Sequence, residues 1–172
     1  KWAYVELGWG GYWAWDPVEN ASLLPWLTST AYLHSVMIQE RKGMLKIWNM
    51  ALVIATYLLA IFGTFLTRSG IVSSVHAFAN SGLGPAFAIF LSMGIIFSVT
   101  LLLYRRKDLK PDEEMESLVS RESGFLFNNL LFLLATIAVL WGTMFPVISE
   151  LFNGDQITVG PPWFNNIMIP IG

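Results

Sequence analysis

Residues 85–104 read PAFAIFLSMGIIFSVTLLLY, twenty positions without a charged side chain, and Arg105, Arg106, Lys107 and Lys110 follow at once. An apolar run of about twenty residues is what an α-helix needs to cross a hydrocarbon core of about 30 Å. A basic cluster directly behind it marks the cytoplasmic side. Three more runs of this length occur, at residues 18–39, 47–66 and 125–148. The first is the least regular, because Asn20 and Pro25 fall in its first two turns, and it is expected to begin as an interfacial helix. A shorter apolar stretch from Ile167 is expected to open a further span, leaving residues 149–172 as an outer loop and its continuation. The pattern predicts an all-α, polytopic membrane bundle of about four transmembrane helices, with residues 18–148 as the transmembrane region.

Composition agrees. Of the 172 residues 55% are hydrophobic and 13% charged, where an ordinary soluble domain carries about a quarter charged; the mean hydropathy is +0.56. There is no cysteine, which excludes disulfides, thiolate zinc sites, iron–sulfur clusters and cysteine nucleophiles within the chain. The net charge of −2 and the lack of a basic tract with interleaved aromatics, outside one short loop, make nucleic acid an unexpected partner. A secretory signal pattern and internal repeats are not evident. The sequence opens on Lys1 and closes on Ile169-Pro170-Ile171-Gly172, and is expected to be an internal piece of a longer protein.

Eight of the ten Lys and Arg residues fall in two connections: Arg41, Lys42 and Lys46, then Arg105, Arg106, Lys107, Lys110 and Arg121. By the positive-inside rule these loops are cytoplasmic. The other two connections hold a single basic residue, Arg68, and lie outside, as does the stretch ahead of the first span. The acidic run Asp112, Glu113, Glu114 and Glu116 reads as a solvated, partly helical connector rather than a metal site.

Residues 1–26 form a tryptophan-rich outer segment, with five of the eight tryptophans at Trp2, Trp9, Trp13, Trp15 and Trp26. An aromatic belt at the interface is the plain explanation, but the order Gly8-Trp9-Gly10-Gly11-Tyr12-Trp13-Ala14-Trp15-Asp16-Pro17-Val18-Glu19-Asn20 is more particular. The glycines permit a tight turn and close approach of a flat ligand. Asp16, Pro17 and Glu19 read as a helix start with a capping box, which gives both carboxylates structural work. Indole faces beside a helix N-terminus suit a flat apolar ring with anionic substituents, such as a porphyrin with two propionates.

The chain has two histidines. His34 lies within the first run, about 24 Å from its outer end and nearer the cytoplasm. An intramembrane His is either a functional group or a hydrogen-bonding partner of a neighbouring helix. His76 falls in an outer loop that is apolar for a loop. Two axial histidines of one iron hold their nitrogens about 4 Å apart, and these two occupy opposite halves of the bilayer, so they cannot share one heme. Each requires a partner from outside this segment.

The run from Trp9 to Asn20 resembles the tryptophan-rich "WWD" signature of the heme-handling proteins of cytochrome c assembly. Its continuation Ala21-Ser22-Leu23-Leu24-Pro25-Trp26, with Gly63-Thr64-Phe65-Leu66-Thr67-Arg68-Ser69-Gly70 and Ser74-Val75-His76-Ala77-Phe78, is similar to the heme-lyase (F-type) branch of that family. The resemblance covers residues 2–80, and family members are several times longer.

It implies that Trp9, Gly10, Gly11, Trp13, Trp15 and Asp16 lie at a site for the heme destined for cytochrome c, with His76 as one axial ligand of its iron. It implies that His34 is an axial ligand of a permanent b-type heme in the membrane, which would deliver electrons, and Arg68 is a candidate partner for a propionate. It further implies an apocytochrome c with a Cys-x-x-Cys-His segment, a periplasmic heme chaperone, other maturation subunits and membrane lipid as partners. The expected setting is the bacterial inner membrane with the tryptophan segment facing the periplasm. The alternatives are a heme exporter or synthetase carrying the same signature, and a non-catalytic membrane scaffold.

Overall fold

The computed structural model describes residues 5–6, 12–72, 82–112 and 120–171. Among these, five helices account for nearly all of the regular structure, and no strand occurs. They are α1 (Pro17–Lys42), α2 (Lys46–Ser69), α3 (Gly84–Arg105), α4 (Arg121–Asn153) and α5 (Pro161–Ile171). The chain is thus all-α, as its apolar runs predict, with each helix overrunning its run by a few residues.

Three helices are long and apolar enough to cross a membrane: α2, α3, and α4 from Ser123 onward. Helix α1, with 26 residues, is about 39 Å long but more polar, and its surroundings explain why. It is the inner helix of the bundle, packed against α2 on one side and α4 on the other. Asn20, Thr28 and Ser35 on α1 are all buried. Protein rather than lipid receives them. The most apolar helix, α3, touches α2 alone and is covered by nothing else along its apolar window.

The α1–α2 pair has a seven-residue register. Ala21, Thr28 and Ser35 face Gly63, Thr56 and Asn49 in antiparallel order. Thr56 Oγ1 donates to Thr28 Oγ1 at 2.8 Å, Ser35 Oγ bonds Asn49 Oδ1, and Asn49 Nδ2 donates to Gln39 Oε1 at 2.8 Å. A seven-residue repeat keeps one helix face on its partner when two helices wrap with a slight left-handed twist. At Ala21 the two backbones approach closely. Pro25 has no N–H for the carbonyl four residues back, and that carbonyl, of Ala21, lies against Gly63, where a Cβ would stand 3.3 Å from its oxygen. Helix α4 also runs antiparallel to α1, with Asn20 bonded to Thr143 near one end and His34 to Asn128 near the other.

The α1–α2 turn and the connection into α4 are tied by Lys46, whose Nζ is 2.8 Å from both carboxylate oxygens of Asp112, and by the Asp112 N–H donating to the Gly43 carbonyl at 3.2 Å. The rest of the acidic run, Glu113, Glu114 and Glu116, lies outside the described residues. Helix α5 starts six residues ahead of the apolar stretch expected at Ile167. The chain between α4 and α5 folds back, with the Ile157 N–H donating to Ser149 Oγ at 2.8 Å, and this brings α5 against α4.

Candidate functional site

The start of α1 is built as the sequence predicts. Asp16 is the N-cap and its Oδ2 accepts from the Val18 N–H at 3.0 Å. Glu19 Oε2 closes the capping box from the Asp16 N–H at 3.2 Å and also accepts from the Ala14 N–H at 2.9 Å. Two carboxylates therefore already sit on the positive end of α1. The expectation that this terminus attracts the acid groups of a ligand meets that obstacle: the cap occupies the site with like charge.

Trp15 is the hinge of the aromatic segment. Its φ is 57°, a left-handed conformation that costs a non-glycine residue about 1–2 kcal/mol. Three contacts offset that cost. The Trp15 carbonyl accepts from Asn20 Nδ2 at 3.0 Å, its Nε1–H donates to Asn165 Oδ1 at 2.8 Å, and its indole stacks on Phe164 with centroids 5.0 Å apart and planes 7° from parallel. Trp13 meets Trp15 edge-on at 5.7 Å, and Trp163 meets Phe164 edge-on at 5.0 Å. The four rings make a continuous herringbone. Phe164 is only 2% exposed and Trp13 is 38% exposed, so the row is packed at Phe164 and open at its Trp13 end. Helix α5 can come this close because α4 has Gly142 there, where a Cβ would stand 2.5 Å from the Trp163 ring and 2.6 Å from Phe164.

Asn20 locks the row to the bundle. It is fully buried, and its Nδ2 bonds both the Trp15 carbonyl and Thr143 Oγ1 on α4 at 3.0 Å. At the same end of the bundle, Arg68 is in the last turn of α2, exposed. The chain just beyond it turns back so that Val72 joins Leu66 and Ala21 in one apolar cluster at the first turns of α1. Trp13, Trp15, Asp16 and Arg68 are therefore gathered at one end. Trp9, Gly10, Gly11 and His76 lie outside the described residues.

His34 is well away from this end. It lies seventeen positions after Pro17, about 25 Å along α1. Its Nδ1 is 3.0 Å from Asn128 Nδ2 on α4, and its ring lies 5.6 Å from that of Phe132 and 6.4 Å from that of Phe125. With Nδ1 engaged, Nε2 is the other ring nitrogen, and the tautomer decides whether it donates a hydrogen bond or offers a lone pair. The imidazole suits one half of a two-histidine iron site, and among the described residues no second His stands beside it and no group of three or more His, Cys, Asp or Glu side chains comes together.

The sequence reading missed Phe164, Asn165, Asn20 and Asn128. Asn165 and Trp15 are 150 positions apart, and no local pattern announces that pairing. The signal for Asn128 was present, since an amide in an apolar run needs a partner.

These features define a helical membrane protein with an aromatic row at one end and a histidine deep in the bundle near the other. Residues 1–72 match the family model described as "Cytochrome C assembly protein". The cytochrome c-type biogenesis protein CycK of Rhizobium meliloti is 46% identical over 178 residues, covering 99% of this chain and 26% of the relative. CcmF of Pseudomonas fluorescens is 42% identical over 172 residues with the same coverage. A solved structure titled "Cytochrome c Heme Lyase CcmF" superposes with a TM-score of 0.72 at 37% identity, over 99% of this chain and 24% of that one. The chain belongs to the cytochrome c assembly family, on the CcmF/CycK/NrfE branch. It spans about a quarter of the length of the curated relatives it matches.

Proposed function

We propose that this chain is the heme-holding part of a cytochrome c heme lyase, in which the aromatic end and His34 serve two different hemes. The observation that carries this reading is their separation: Trp15 lies just ahead of the α1 cap, and His34 is seventeen positions past Pro17, about 25 Å along the helix, too far for one porphyrin. In this reading helices α1 to α4 serve as the four spans, and the distribution of basic residues among the connections supports an orientation with the aromatic end on the periplasmic face of the bacterial inner membrane. The heme to be attached rests against Trp13, with Trp9, Gly10 and Gly11 shaping the same surface and His76 as an axial ligand of its iron. Trp15 and Asp16 hold that surface by the contacts described above, and Arg68 receives a propionate.

A periplasmic heme chaperone delivers the heme, and the apocytochrome supplies both sulfurs from its Cys-x-x-Cys-His segment, in keeping with a chain that has no cysteine. Each thiol adds across one vinyl group, the sulfur bonding one vinyl carbon and the hydrogen passing to the other, so no oxidant is required. A resident heme b, if held at His34, would relay electrons from an external reductant to keep the incoming iron reduced. The role of this chain's residues is to orient: the herringbone presents a flat indole edge, and the left-handed Trp15 turns the segment out from the helix axis.

Absorption spectra of the full-length protein test the reading. His34→Ala is expected to lose the resident b-type heme. His76→Ala is expected to keep it and to lose capture of chaperone-delivered heme. Spectra identical to those of the unaltered protein would overturn both assignments.

A further inference from the structure

Phe125, Asn128 and Phe132 are spaced i, i+3 and i+7 along α4, which puts them on one face, and that face meets the His34 ring. The two phenyl rings flank the imidazole. Between them the Asn128 amide reaches Nδ1 at 3.0 Å. The next residue, Asn129, is fully buried with both amide atoms unbonded, so the hydrogen bond to His34 belongs to Asn128 alone of this amide pair.

The direction of that bond decides what His34 can do. A neutral imidazole carries its proton on one nitrogen and a lone pair on the other. If the amide N–H donates to Nδ1, the proton sits on Nε2 and that nitrogen cannot bind a metal. If Nδ1–H donates to the amide oxygen, Nε2 has its lone pair free. The amide's oxygen and nitrogen exchange places by a half-turn of the side chain, so the same geometry admits either arrangement. An iron at Nε2 selects the second.

We propose that Asn128 is a positioning residue: its side-chain oxygen accepts from Nδ1–H of His34, fixes the tautomer and ring plane, and presents Nε2 as an iron ligand. The proposal rests on the reading of His34 as a heme ligand and deepens it. Outer partners of this kind orient a ligating histidine and raise its basicity, and their loss costs about 10–100-fold in metal affinity.

The test uses the full-length protein purified with its bound heme, and reads heme per protein, the midpoint potential of the b-type heme and its ferric electron paramagnetic resonance spectrum. Asn128→Leu removes the acceptor. It is expected to weaken heme retention tenfold or more, with the remaining heme at a higher potential and a weaker axial ligand field. Asn128→Asp keeps an oxygen of the same reach and strengthens the acceptor. It is expected to retain heme at a potential below that of the unaltered protein, and it keeps the proposal falsifiable should Asn128→Leu not assemble. A contact that only joins helices would move stability and leave potential and ligand field unchanged. Unaltered potentials and resonance spectra in Asn128→Asp, with heme lost in His34→Ala, would overturn the positioning role and leave the ligand role standing. Full heme retention in His34→Ala would overturn both.

Discussion

At the scale of single residues, Gly142 and Trp15 depend on each other although they never touch. Gly142 on α4 leaves room for Trp163 and Phe164 of α5; Phe164 then stacks on Trp15 and the adjacent Asn165 bonds its indole. Adding one methyl at Gly142 forces two aromatic rings away from the helix, and overpacking of this kind costs about 1–3 kcal/mol. Gly142→Ala is expected to lower the thermal unfolding midpoint of the detergent-solubilised protein and to reduce capture of added heme at the aromatic end. The companion substitution Gly154→Ala, in open space at the end of α4 with a left-handed φ of 80°, is expected to cost stability alone. Equal heme capture in the two variants would show that the herringbone is not part of the site. The sequence announced Trp13, Trp15 and the Asp16–Glu19 cap because those signals are local. It was silent on Phe164 and Asn165 because their meaning comes from a fold-back of the chain around residues 154–160, which only the three-dimensional path reveals.

At the scale of the helices, the apolar runs were legible and their pairing was not. A count of apolar residues sees Thr28, Ser35, Asn49 and Thr56 as blemishes in two spans. Their seven-residue spacing was available in the sequence, and it marks the face on which α1 and α2 meet. Hydrogen bonds between transmembrane helices are worth about 0.6 kcal/mol on average. A double-mutant cycle of Thr28→Val and Thr56→Val is therefore expected to return a coupling energy of about that size, measured by unfolding in mixed micelles. Gly63 makes the stronger demand, because the Ala21 carbonyl that Pro25 leaves without its helical donor lies against it. A coupling indistinguishable from zero at Thr28 and Thr56 would mean that the register is set without this pair, by Ala21 on Gly63 and by the Asn49 contacts.

At the scale of the whole molecule, the helices lie in the spatial order α3, α2, α1, α4, α5, so the helix with the candidate site residues is central and the most apolar one peripheral. Helices α3 and α4 flank a cleft of about 650 Å³ whose lining is aliphatic and aromatic except for Thr28 and Thr136. Running through the middle, α1 carries the tryptophan segment at its cap and His34 nearer its other end. This one rigid rod fixes the distance between the two proposed heme positions.

The central place of α1 also bears on how the chain enters the bilayer. Its buried amides and hydroxyls are answered by α2 and α4, and neither helix stands beside α1 when it leaves the ribosome. A segment judged alone by the translocon is judged on its own polarity, and α1 lacks the apolar window that its neighbours have. Residues 12–45 fused to a glycosylation or protease-accessibility reporter are expected to insert poorly, and residues 12–72 to insert well, because α2 brings the hydrogen-bonding partners with it. Equal insertion of the two would show that α1 needs no companion. If the expected difference is found, the order of events follows from the hydrogen bonds: the central helix settles in the membrane only after the next one has arrived.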